Sequence, residues 1–156
     1  MSVRKDSYTW LGVGTLVAII ACSAVFFILS YQKSTTVRVG DGVFRVRIAS
    51  TDAQREKGLG GVTQLAQNEA MLLAYDASDV HKIWMKDMKI SIDAVWLNAD
   101  RRVVYIEQSI SPESYPTAYG PSSPTKYVLE LSDGAIQRAR IKLGMQAIFD
   151  DQEKIE

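Results

Sequence analysis

Residues 83–97, IWMKDMKISIDAVWL, decide how the rest of the chain is read. They join a cluster of aromatic, sulfur and charged side chains (Trp84, Met85, Lys86, Asp87, Met88) to residues 90–97, which are apolar apart from Ser91 and Asp93. Bounded by Lys89 and by the turn signal Asn98-Ala99-Asp100, the second part is too short for a free-standing helix. It reads as a strand buried on both faces. An aspartate inside such a strand needs a partner, because an isolated charge is too costly to bury. Asp93 is thus either a structural carboxylate, ion-paired with Arg55 or Lys86 and held by backbone donors as well, or part of a site.

Working outward, residues 102–107 (RVVYIE) return after the turn as an antiparallel partner of this strand. Residues 70–75 (AMLLAY) and 126–131 (KYVLEL) are further strands, and residues 76–79 read as a polar loop. Ahead of them Val37 and Val39, a Gly40-Asp41-Gly42 turn, and Phe44, Val46 and Ile48 interleaved with Arg45 and Arg47 describe a two-stranded ribbon with one wet face. Thr51-Asp52-Ala53-Gln54 is a capping-box pattern opening a short helix that Gly58 ends. The glycines at 58, 60 and 61 close a helix, whereas a phosphate-binding loop would open one. Asp133-Gly134 makes a turn, residues 135–141 a short helix and residues 145–149 a closing strand.

Residues 9–30 contain no charge, and as a helix they extend roughly 33 Å, enough to cross a hydrocarbon core of about 30 Å. Trp10 and Tyr31 stand at the ends, where aromatic belts form. Ile19-Ile20-Ala21-Cys22 is similar to a lipoprotein cleavage site, but the run stays apolar after Cys22. A cleaved export signal would also have a shorter apolar region. The reading is an uncleaved single-pass anchor at 9–31, after a polar head at 1–8 and before a linker at 32–36. A short head and a long tail place the domain, 37–150, on the extracytoplasmic side of the cytoplasmic membrane, with a charged tail at 151–156. Positive charge flanks both ends and does not by itself set the orientation.

Of the 156 residues 18 are basic and 18 acidic, with no basic stripe, which argues against nucleic-acid binding. One cysteine, inside the apolar run, leaves no intrachain disulfide or cysteine-based zinc cluster. His81, the only histidine, has Asp76 and Asp79 nearby, but no second histidine supports a metal site and no nucleophile motif supports a triad. No cofactor is implied.

The order Arg55-x-x-Gly58-Leu59, Met71-Leu72, Trp84-Met85-Lys86, Ile90-x-Ile92-Asp93 and Tyr127-Val128-Leu129-Glu130-Leu131 resembles the "domain of unknown function 192" family over about residues 37–149. The resemblance implies a mainly β, sandwich-like domain of antiparallel sheets with one or two short helices, frequently exported or attached to a prokaryotic envelope, and it implies no activity. This chain has Ala70 where the family usually has Gly, and Asp87-Met88 where it usually has Asn and Thr.

Candidate ligand-binding residues are Arg55, Trp84, Met85, Lys86, Asp87, Asp93 and Tyr127, joined by Tyr115 and Tyr119 from the Pro- and Ser-rich loop at 111–124. Asp93, Asp87 and Glu130 are the candidate acid–base groups. For Asp93 the structural role is the preferred one. The function expected is a membrane-anchored binding or scaffolding module for a small molecule, a glycan or an envelope protein. The alternatives are an envelope hydrolase or transferase using those carboxylates, and an accessory subunit of a membrane complex, to which Gly12, Gly14 and Ser23 lend faint support.

Overall fold

The computed structural model describes residues 34–150. The anchor expected at 9–31 and the tail at 151–156 lie outside the described residues. Among the described residues no helix is long and apolar enough to cross a membrane.

The elements are β1 (Ser34–Val39), β2 (Gly42–Ala49), α1 (Asp52–Lys57), β3 (Glu69–Asp79), β4 (Ile83–Trp84), β5 (Ile92–Leu97), β6 (Val103–Ile110), β7 (Ala118–Tyr119), β8 (Thr125–Ser132), α2 (Ala135–Arg138) and β9 (Ile148–Phe149), with a short 3-10 turn at Pro112–Ser114. Seven strands form one sheet in the order β6-β5-β8-β3-β2-β1-β9, and β4 pairs with β7 in a small second ribbon.

The expected antiparallel sandwich is corrected in two respects. β2 and β3 are parallel, with Arg45 opposite Glu69 and Ala49 opposite Leu73, so the sheet is mixed. A parallel pair needs a long crossover, and residues 50–68, which carry α1, supply it. The sheet is also continuous and curls toward closure. Val103 N–H donates to Met145 O (2.9 Å) and Gly144 N–H to Val103 O (2.8 Å), so the segment leading into β9 runs beside the start of β6.

The curl creates an inner and an outer core. Phe44, Val46, Leu72, Val95, Leu129 and Leu131 face inward with Ile136 of α2, while Leu59, Leu73, Met85, Ile92, Trp96 and Val128 form the outer cluster. The strict alternation of each strand produces this division. β5 is buried along its whole length, as its apolar run requires. Trp96 can be wholly buried because its indole N–H donates to His81 O at 2.9 Å.

Thr51 caps α1 with the reciprocal Gln54 bond that the sequence predicts, and Gly58 ends it. Other boundaries differ from the sequence reading, among them β9, which is confined to Ile148–Phe149 rather than 145–149. β3 runs on through residues 76–79 to pair Asp79 with Thr125 past an irregularity after Ala74, its exposed half lacking apolar periodicity. α2 ends at Arg138 rather than 141, where Arg140 takes a positive φ of 53°. β1 begins at Ser34, inside the expected linker.

Candidate functional site

Asp93 and Glu130 come from adjacent strands in antiparallel register, Asp93 opposite Leu131 and Ala94 opposite Glu130. With a side-chain period of two, that register sends the two carboxylates to opposite faces of the sheet.

Asp93 faces inward and is 0% exposed. Its Oδ1 accepts from Ser109 N–H (2.9 Å) and its Oδ2 from Ile136 N–H (2.8 Å). Gly134, the residue before α2, has no side chain to cap the helix, and Asp93 supplies the missing acceptor from across the core. Opposite Asp93 the β5–β6 register shifts between Ile92 and Ala94, and Ser109 takes a φ of 53° within that bulge. The expected convergence of Asp93 with Arg55 and Lys86 is therefore corrected: backbone groups satisfy this carboxylate on the inner face. Tyr127 is likewise inside, edge-on to Phe149 with ring centroids 5.3 Å apart.

Glu130 faces outward, at the floor of a cleft of about 470 Å³ whose lining includes Arg55, Lys57, Tyr75, Lys82, Trp84 and Lys86. One carboxyl contact is the Leu59 backbone N–H, and Oε2 has no hydrogen-bond partner. Burial pushes the Glu130 carboxyl up to about 7, against the pull of the Leu59 N–H and the Arg47 charge. Burial, seconded by the Glu130 charge, also raises the Tyr75 hydroxyl to about 12, with Arg55 opposing.

The walls come from two stretches of chain, the crossover that carries α1 and the segment that carries β4. On one side Arg55 is held in place: its Nη1 donates to Ser50 O and to Ala74 O (2.7 Å), its Nη2 pairs with Asp52, and its guanidinium lies 5.0 Å from the centroid of Tyr75. His81 stacks on Tyr75, ring planes 9° apart, and backs that side of the cleft without lining it. On the other side Trp84, paired opposite Ala118 in the small ribbon, is 46% exposed. Lys86 Nζ lies 5.9 Å from its ring centroid and 3.3 Å from Glu56 Oε1. The two stretches lock together where Gly61 N–H donates to Asp87 O at 2.9 Å.

The cleft thus gathers Arg55, Trp84, Lys86 and Glu130. Met85 lies beneath them in the outer core, and Asp87, at a φ of 59°, borders an adjoining depression of about 430 Å³ that shares Glu56, Lys57 and Lys86 with the cleft. Tyr119 packs on the outer core opposite Ile83, and Tyr115 stands exposed in its loop. Sequence reasoning passed over Tyr75, Lys82 and Glu56. The Met71, Leu73, Tyr75 alternation was the available signal for the first; nothing local marks the other two.

The fold recurs in solved structures. A protein from Sinorhizobium meliloti 1021, provisionally described as a transcription regulator, is 24% identical with a TM-score of 0.73 over 76% of this chain and 95% of its own. A protein of unknown function from Novosphingobium aromaticivorans DSM 12444 is 31% identical with a TM-score of 0.69, over 75% of this chain and 84% of its own. No curated protein matches the chain. The DUF192 family, described as "Uncharacterized ACR", matches residues 35–149, and the chain belongs to it.

Proposed function

We propose that the protein is a membrane-anchored binding module, held by residues 9–31 with its β domain on the extracytoplasmic side, and that it takes a small molecule or the end of a glycan in the Glu130 cleft. The observation that carries this reading is the unpartnered Oε2 of a buried carboxyl at the floor of a cleft under an exposed tryptophan. A buried polar atom without a partner costs on the order of 1–3 kcal/mol, and a ligand hydrogen bond removes that cost. The volume falls in the range of about 300–1,000 Å³ usual for small-molecule sites.

An envelope hydrolase or transferase is the second reading, favoured by one observation: a carboxyl that titrates near neutrality can both give and take a proton. Of the three candidate acid–base groups, only Glu130 lines this cleft.

The test is a small-molecule screen of the full-length protein in lipid nanodiscs, following the Trp84 indole resonance. Compounds that shift it in the native chain should fail in Glu130→Leu, which offers the ligand no hydrogen bond. A screen of sugars, amino acids, nucleotides and short peptides that leaves Trp84 unmoved overturns the binding reading. Turnover of any bound compound, lost in Glu130→Gln, selects the enzyme instead. Release of the chain by alkaline extraction, or protection of the domain from protease added outside spheroplasts, overturns the anchored topology.

A further inference from the structure

We infer that the ligand is an acidic sugar, a pyranose ring bearing a carboxylate, with a hydroxyl on Glu130, the ring against Trp84 and the carboxylate toward Lys82 and Lys57. The inference rests on the binding reading above and narrows it to a chemical class.

Three features of the cleft each exclude a different set of ligands. The first is the floor. Glu130 Oε2 lacks a partner, and a hydroxyl, able both to donate and to accept, satisfies that oxygen whether or not the carboxyl carries its proton. An ammonium could also bind a carboxylate, but Lys57 and Lys82, which no lining acid pairs, would repel it.

The second is the charge of the rim. Arg55 is paired with Asp52 and Lys86 with Glu56. Among the described residues no carboxylate pairs with Lys57 or Lys82. The two unpaired ammonium groups leave the rim short of an anion, which a ligand carboxylate supplies.

The third is Trp84. Its ring is bulky and nearly half exposed, on a backbone fixed by the β4–β7 pairing. A flat, weakly polar face such as the C–H face of a pyranose covers it without stranding hydroxyls, which point outward from the ring edge. A simple fatty carboxylate would leave Glu130 unsatisfied, and a neutral sugar would leave the lysines unmatched.

Three sodium salts or neutral compounds separate these contributions: glucuronate has ring hydroxyls and a carboxylate, glucose only the hydroxyls, and cyclohexanecarboxylate only the ring and carboxylate. Each is titrated into the full-length chain in lipid nanodiscs, reading the Trp84 indole resonance assigned by its loss in Trp84→Phe. Glucuronate should bind about tenfold more tightly than either of the others, the factor one charge-assisted hydrogen bond supplies. Lys57→Gln with Lys82→Gln should erase its advantage over glucose, and Glu130→Leu, which removes donor and acceptor alike, its advantage over cyclohexanecarboxylate.

Glucose binding as tightly as glucuronate overturns the acidic part of the inference, and cyclohexanecarboxylate doing so overturns the sugar part. Either result leaves the cleft a binding site. If none of the three moves Trp84 while an amino acid or nucleotide does, the ligand class falls and the binding reading stands. If no small molecule of any class moves it, both fall.

Discussion

Asp93 and Glu130 sit one residue apart in register on adjacent strands, and both are buried, yet they are treated in opposite ways. Asp93 is surrounded by donors recruited from two other elements, a bulge in β6 and the start of α2, so its charge is fully matched. Glu130 has one backbone donor and a buried oxygen without a partner, beneath the cleft its residue lines. The difference teaches where each face of the sheet spends its polar groups. Inside the curl a carboxylate fastens a helix and a bulge to the sheet; outside, a carboxyl is left partly unmatched, an arrangement that lowers stability unless something else binds.

The sharpest way to break this contrast is Asp93→Ala. It leaves the buried Ile136 N–H and the part-buried Ser109 N–H without their acceptor and uncaps α2. Two hydrogen bonds to a charged group are worth about 3–5 kcal/mol together, so the urea midpoint should fall steeply. A loss below about 1 kcal/mol would mean that water or a shifted helix replaces the carboxylate, and the contrast would collapse.

Glu130 should show the reverse. Its folded-state value, about 7, lies above the ordinary 4.5, so between those limits the folded protein holds a proton that the unfolded chain has released. Stability must then fall as pH rises through that window, and it is flat with respect to this group below 4.5 and above 7. The full drop is about 3 kcal/mol, an order-of-magnitude figure for a fully buried group. Glu130→Gln cannot ionise and should lack this drop, making it the more stable protein at pH 8 though not at pH 4. Parallel pH–stability curves for the two proteins would show that Glu130 is hydrated rather than buried.

Much of this frame is legible in the sequence, because strong local signals carry it. The apolar run around Asp93, the capping box at Thr51 and Gln54, and the alternation of Phe44, Val46 and Ile48 with Arg45 and Arg47 all correspond to what forms. The choice of face does not. Asp93 and Glu130 both interrupt apolar strands, and only the long-range register, set by packing of residues 38 positions or so apart in sequence, tells which carboxyl goes inward. The parallel pairing of β2 with β3 is hidden for the same reason: the segment between them carries the same helix and turn signals whichever way β3 enters. Lys82 and Glu56 joined the site only once two stretches distant in sequence had met, as the Lys86–Glu56 pair illustrates.

Gly58→Ala sharpens the comparison with the smallest expected effect. Gly58 sits at φ 47° and ψ −131°, a conformation that residues with a Cβ rarely adopt, and its place at the end of α1 puts it directly against the floor of the cleft. An added Cβ would stand 3.1 Å from Glu130 Oε2 and 3.2 Å from Oε1. Backbone strain alone should cost about 1–3 kcal/mol. The contact adds little if the carboxyl can swing toward the cleft and more if it is clamped, and a double-mutant cycle with Glu130→Ala separates the two contributions. Strain without coupling would describe a glycine that merely ends a helix. A coupling above about 0.5 kcal/mol would describe one that keeps space for the carboxyl, so that the residue closing α1 also sets how far Glu130 can reach into the cleft.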